Sequence, residues 1–236
     1  YIEVFRNKDI FASLWLSLYY MVGSVVQLAL ALFLATILSF KTRGGNLFKG
    51  LMFFPYLISG IAIGFIFKYF YTRGFVFDSI LGWFGFELDS LPYWLRDQKI
   101  NNWSLVATSV WRYFGNNMVL FIGAIMSVDS EMYEAAEMDG ASATQRFAFL
   151  TLPLLKPTMV FIVITSLISY FQTYIPVMVL TQGGPGTKTY LAYYILYGQA
   201  FVKYNFGYAS AISFILFVII AALTALSFRF SGGVKA

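Results

Sequence analysis

The sequence contains no cysteine and no histidine, and charged residues make up only 11% of its 236 positions. Without cysteine there is no disulfide, thiolate ligand or thiol nucleophile. Without histidine there is no imidazole metal site and no histidine-dependent triad. Soluble domains carry about 25% charged residues. A chain this poor in charge cannot cover its outside with polar groups, so its composition belongs to a lipid bilayer. The net charge of +5 is spread without a basic run, which fits membrane topology rather than nucleic-acid binding. Carboxylates remain, yet catalysis by this chain alone has few residue types to draw on. It is read as a non-enzyme.

Apolar residues account for 59% of the chain and aromatics for 20%. A bilayer-spanning helix needs about 20 consecutive apolar residues. Five stretches qualify, at 11–40, 50–71, 104–127, 157–180 and 207–230, and predict an all-α polytopic membrane protein. Pro176 is expected to kink the fourth. The chain starts at Tyr1 with neither methionine nor signal peptide, from which missing N-terminal sequence is expected. No linker or internal repeat interrupts it, so residues 1–236 read as one transmembrane domain. Lys41, Arg43 and Lys49 crowd one short connection and mark it as cytoplasmic. Alternation then puts residues 72–103, with Trp83, Trp94 and Trp103, in an outer loop. Residues 129–156 return to the cytoplasm, and the glycine-rich 181–189 opens a second outer loop. An aromatic segment, 189–204, is expected along the interface.

The stretch SEMYEAAEMDGASATQRFAFLTLPLLKP, residues 130–157, is polar between two apolar spans. Asp129 and Ser130 can cap a helix whose first turn favours Glu131 and Glu134. Gly140 is a left-handed stop. Ser142 and Gln145 have the spacing of a capping box for a second short helix. Pro153 and Pro157 are expected to close that helix. Ala135 and Ala136 leave a smooth strip for close approach, beside Tyr133 and the adaptable Met132 and Met138. Glu134, Glu137 and Asp139 supply negative charge for a basic partner. The bland alternative is a solvated loop helix with nothing bound.

Glu134-Ala135-Ala136, three residues, Gly140, nine residues, then Leu150-Thr151-Leu152-Pro153 resembles the coupling-loop signature of ABC importer permeases. That signature reads Glu-Ala-Ala-x3-Gly-x9-Ile-x-Leu-Pro, and Leu150 stands where isoleucine is usual. LTQGGPGTKT (180–189) and QAFVKYNFGYASAIS (199–213) resemble the sugar-type permeases, in particular the larger maltose-permease type of subunit. The resemblance covers essentially the whole chain. It implies a type I importer transmembrane domain in a bacterial or archaeal cytoplasmic membrane, with at least one further span before Tyr1. It also implies that Tyr133, Glu134, Ala135, Ala136, Asp139, Gly140, Leu152 and Pro153 dock on an ATPase. Expected partners are a second homologous permease subunit, two ATPase subunits holding ATP and Mg, and an extracellular or periplasmic solute-binding protein. No cofactor is expected in this chain, and no Gly-x4-Gly-Lys-Ser/Thr phosphate loop occurs in it.

An arginine at mid-helix costs roughly 2.5–3.5 kcal/mol on insertion scales, so polar groups in spans are functional hypotheses. Ser109, Arg112, Tyr113 and Asn116 share one face of the third span. Ser166, Ser169, Tyr170 and Thr173 share one face of the fourth, with Gln172 adjacent. The serines read as helix-packing glue. Tyr113, Asn116, Tyr170, Gln172 and Thr173 read as substrate pathway. Arg112 has two roles open, an internal pair or an anionic substrate. Lys68 snorkels near a span end, and Gln27 reads as packing. Gly183, Gly184 and Pro185 make a turn, with contact to the binding protein as the sharper alternative.

The reading is therefore an importer permease for a sugar or oligosaccharide. Two alternatives stand beside it: the same family moving a non-sugar solute such as a glycerophosphate, and an ATP-independent secondary carrier. Ion-coupled carriers usually need an intramembrane carboxylate. None of the five stretches contains one.

Overall fold

The computed structural model describes residues 1–39 and 44–230, and every regular element among them is helical. In chain order these are α1 (Ile2–Arg6), α2 (Lys8–Ser39), α3 (Gly45–Leu57), α4 (Gly60–Phe70), α5 (Val76–Trp83) and α6 (Asn101–Met126). They continue as α7 (Ser130–Met138), α8 (Ala143–Arg146), α9 (Leu152–Phe171), α10 (Ala192–Tyr197) and α11 (Phe206–Phe230). Lys41 and Arg43, on which the orientation argument leans, lie outside the described residues.

Among the described residues, three helical segments are long and apolar enough to cross a membrane: α2, Ala143–Phe171 and the body of α11. A fourth exists only as the broken pair α3 and α4. The 26 residues of α6 rise roughly 39 Å at 1.5 Å each, beyond the ~30 Å of a hydrocarbon core, and carry more polar side chains.

Three expectations need correction. The span expected at 50–71 is interrupted, because α3 stops at Leu57 and Ser59 adopts an extended conformation ahead of Gly60. Glycine is a poor helix former, and the Ser59 side chain makes no capping bond, so the restart hidden in the apolar run rests on Gly60 and the backbone turn before it. The kink expected at Pro176 lies earlier. Helix α9 ends at Phe171, Gln172–Tyr174 are non-helical, and Pro176 sits in the first turn of the next helical piece. There its missing N–H would be unpaired anyway.

Pro153 and Pro157 do not close a short helix. The chain runs helically from Ala143 to Phe171, with both prolines inside. A π-helical turn at Phe147–Thr151 precedes Pro153, and the Leu152 N–H reaches back five residues to the Phe147 carbonyl. Such a widened turn absorbs the backbone mismatch that a proline creates.

The described residues form two compact units. The first gathers residues 1–24, 58–112 and 167–221; the second gathers 25–57, 113–166 and 222–230. In the first, Tyr20, Leu105, Tyr170, Val177 and Leu191 form the buried centre. Within residues 189–204, Leu191, Ala192, Leu196 and Ala200 are buried. In the second, Ala31 and Ala35 of α2 are fully buried in a cluster with Met118, Phe121, Leu155 and Ile162. Between lipid-embedded helices the hydrophobic effect gives little drive, so small residues that permit close van der Waals packing matter most.

Gly115 of α6 is the tightest such point in the second unit. A Cβ built there would collide with the Met52 carbonyl and the Phe53 backbone of α3, which cannot yield as a side-chain end would. Gly123, two turns along α6, has open space at the same position. Gly115→Ala is expected to destabilise by about 1–3 kcal/mol through overpacking, while Gly123→Ala gains up to about 1 kcal/mol of helix propensity. Thermal unfolding in detergent checks this: Gly115→Ala lowers the midpoint and Gly123→Ala does not. Equal midpoints would rule out the close contact.

Candidate functional site

The polar segment after α6 is locked at both ends by its own side chains. Asp129 accepts from the Glu131 N–H at 3.1 Å, capping α7. The helix ends at Gly140, whose φ of +79° suits a residue without Cβ. The Ala141 N–H donates to Ala136 O at 2.9 Å and the Gly140 N–H to Glu137 O at 3.0 Å. Together these bonds form a Schellman stop. One residue later a reciprocal capping box starts α8: the Ser142 N–H donates to Gln145 Oε1 at 2.8 Å, and the Gln145 N–H donates to Ser142 Oγ at 3.4 Å.

Two contacts tie α7 to the helix that begins at Ala143. Arg146 pairs with Glu137 at 2.6 Å, an exposed bridge that fixes geometry more than it adds stability. The Tyr133 hydroxyl lies 3.1 Å from the Thr151 hydroxyl, which is buried. The predicted residues therefore sit together in one unit. Glu134, Ala135, Asp139, Gly140 and Pro153 are exposed, while Tyr133, Ala136 and Leu152 are half-buried. Met138 and Phe149 add apolar side chains that are 88% and 80% exposed. Phe149 is not among the residues that the sequence singles out, because it stands in the apolar run Phe147-Ala148-Phe149-Leu150, which carries no signal of exposure.

The intramembrane residues fall into distinct environments. Ser109 donates to Leu105 O within α6, at 3.2 Å, and is buried. Arg112, half-buried in the first unit, lies against Gly60. A Cβ on that glycine would approach Arg112 Nη1 to 2.6 Å, so the missing side chain makes room for the guanidinium. In the second unit Tyr113 packs edge-on to Tyr56 at 6.1 Å, and Asn116 bonds Asn117 at 3.4 Å; both are partly accessible. Tyr170 is buried beside Tyr20, and Thr173 is buried with its hydroxyl on Ser169 O at 2.9 Å. Gln172, in the break after α9, is exposed. Next to it stands an aromatic group that sequence reasoning did not assemble: Tyr174 stacks on Tyr197 at 5.2 Å and meets Tyr193 at 5.5 Å.

The 181–189 loop is a tight turn held by hydroxyls. Thr181 and Thr189 contact each other at 2.9 Å, and Thr189 donates to Gly184 O at 3.1 Å. Gly183, at φ +84°, has the Tyr190 ring where a Cβ would stand. Asn102 anchors the loop by donating to Lys188 O at 3.1 Å. Gly184 and Pro185 are partly exposed on its surface.

Comparison with known proteins places this architecture. Residues 27–232 match the family described as binding-protein-dependent transport system inner membrane component. The arabinooligosaccharides transport system permease protein AraP of Bacillus subtilis (strain 168) is 31% identical, over 98% of this chain and 74% of its own length. The sn-glycerol-3-phosphate transport system permease protein UgpA of Agrobacterium fabrum (strain C58 / ATCC 33970) is also 31% identical, over 88% of this chain and 70% of its own length. In fold, the chain matches a chain of the bacterial alginate ABC transporter in complex with its alginate pentasaccharide-bound periplasmic protein. That match has a TM-score of 0.86 at 18% identity, covering 98% of this chain and 81% of the other. The chain belongs to the family of inner membrane components of binding-protein-dependent transport systems, as a multi-pass permease of the cytoplasmic membrane.

Proposed function

We propose that this permease subunit imports a sugar or oligosaccharide, driven by ATP hydrolysed on separate ATPase chains that dock on residues 129–153. The observation that carries the coupling role is the doubly capped α7–Gly140–α8 segment. Its exposed surface combines Glu134, Ala135, Met138 and Phe149. A slack connector needs neither a Schellman stop nor a capping box; a lever does. From Ala143 the helix continues to Phe171, so displacement of the docked end travels into the membrane. Closing of two ATPase subunits around ATP and Mg would move this lever, and with it one half of the permease. A second homologous permease supplies the other half. A solute-binding protein delivers cargo from outside, with Gly184 and Pro185 among its contacts, while Gly183 is buried beneath Tyr190 and shapes the turn.

Tyr113 and Asn116 in the second unit, and Arg112 and Gln172 in the first, are the accessible residues assigned to the substrate pathway. Tyr170 and Thr173, assigned with them, are buried. The arabinooligosaccharide permease similarity supports a sugar as cargo. A phosphorylated solute is the second reading, favoured by the glycerol-phosphate permease similarity and by Arg112. Family membership leaves the ATP-independent carrier without support.

Gly140→Val forces a β-branched residue into a left-handed conformation, whereas Gly140→Asn tolerates it. Glu134→Lys reverses a charge on an exposed face. ATP-driven uptake in membrane vesicles is expected to fall at least tenfold for Gly140→Val and Glu134→Lys and to persist for Gly140→Asn. Normal uptake in the first two, with normal ATPase co-purification, would remove the coupling role. Tyr113→Ala and Asn116→Ala are expected to raise the substrate concentration for half-maximal uptake while ATPase co-purification is retained. Unchanged dependence returns both residues to packing. Arg112→Gln is expected to lose anionic cargo selectively if the second reading holds, and equal losses on neutral sugars would oppose it.

A further inference from the structure

A concave feature within the first unit includes none of the residues assigned to the pathway and shares Gly184 and Pro185 with the turn assigned to binding-protein contact. It is a cavity of about 580 Å³ between the end of α4, residues 92–96 and the 180–185 turn. Small-molecule sites run from about 300 to 1,000 Å³. Three cations, Lys68, Arg73 and Arg96, line it beside the rings of Tyr71, Tyr93 and Trp94, and no carboxylate is among its lining residues.

The walls are built rather than draped. The Trp94 indole N–H donates to Asp78 at 2.6 Å. The buried Asp78 also takes the Gly74 N–H, and the Ser104 hydroxyl donates to Trp94 O. Arg73 donates to the Leu88 and Leu91 carbonyls and stacks over Tyr93, 4.9 Å from the ring centre. Its one acidic neighbour is Asp89, fully exposed at 3.9 Å. Two carbonyl bonds leave further N–H donors on the five-donor guanidinium. Lys68 and Arg96 form no ion pair among the described residues, and both are exposed.

We propose that this cavity is a binding site for a short saccharide bearing carboxylate groups, held on the outer side of the membrane. Clustered cations on low-dielectric walls concentrate an anion. Arginine matches a carboxylate with paired hydrogen bonds. Fixed aromatic faces receive the apolar faces of sugar rings. A neutral sugar would leave Lys68 and Arg96 without a counter-charge, and a simple inorganic anion would leave the rings uncovered. The inference deepens the importer reading and rests on it for the outer placement, and it narrows the cargo to acidic saccharides.

The test is isothermal titration of the complete membrane complex in phosphatidylcholine nanodiscs, with trigalacturonate as acidic probe and maltotriose as neutral control. Trigalacturonate is expected to bind at least tenfold tighter than maltotriose and to weaken as salt rises. The double variant Lys68→Gln/Arg96→Gln, both exposed positions, is expected to lose at least tenfold of that affinity and to keep its melting temperature. Trp94→Phe retains a ring but loses the bond to Asp78, and is expected to weaken binding less than the double variant. Equal affinity for the two sugars overturns the proposal, as does acidic binding that survives the double variant. Abolition of binding by phosphatidylglycerol in the nanodisc overturns it in favour of a lipid headgroup site. Loss of solute-binding-protein docking, with saccharide affinity unchanged, overturns it in favour of a protein contact. Absent acidic binding alongside intact ATP-driven uptake removes the cavity alone. Acidic binding in a complex without ATP-driven uptake supports the cavity and removes the importer reading.

Discussion

Hydrocarbon offers no hydrogen bonds to a peptide, and that constraint governs where this chain is allowed to bend. An unpaired N–H or carbonyl in the bilayer core costs several kcal/mol, so each departure from helix must satisfy itself locally. The break after α9, within the stretch read as the fourth span, does so through Thr173, whose hydroxyl donates to the Ser169 carbonyl, and through the Thr173 N–H on Tyr170 O. It stands beside Gln172, a residue assigned a role in transport. Irregular backbone at membrane depth survives only where protein or a water-filled cavity surrounds it.

The coupling segment obeys the same accounting under different rules. In water, orphaned helix ends are tolerated, yet here both are capped and the bend between them is fixed. Fixing a bend reduces the entropy lost when a partner docks and lets a displacement pass through without being absorbed. Continuity from Ala143 to Phe171 matters for the same reason. A helix stopped at Pro153 would have decoupled the docked end from the membrane.

Features governed by local chemistry were legible in the sequence. Asp129, Gly140, Ser142 and Gln145 act within a few residues of themselves, so their types and spacing predict the caps that form. Features governed by tertiary packing were hidden. Proline content suggested a helix stop at Pro153, because the sequence does not reveal a widened turn that accommodates it. Tyr170 shared a polar face on paper, but the packed core claims it beside Tyr20. The restart at Ser59 lay inside an unbroken apolar run, where hydropathy carries no signal. The basic cavity joins Lys68, Arg96 and Gln182 across more than a hundred positions, beyond the reach of any short motif.

The central claim is that residues 129–153 are the face through which a partner ATPase drives the membrane helices. Residues 1–236 contain no cysteine, so a single cysteine can be introduced among them without removing others there. Ala135→Cys and Phe149→Cys, both at exposed positions, can carry a photoactivatable cross-linker in the intact complex, with Thr187→Cys in the 181–189 turn as control. Adducts with the ATPase chain are expected from Ala135→Cys and Phe149→Cys, changing in yield when ATP is added, and none from Thr187→Cys. Absence of ATPase adducts at both positions, or equal yield from Thr187→Cys, would contradict that claim.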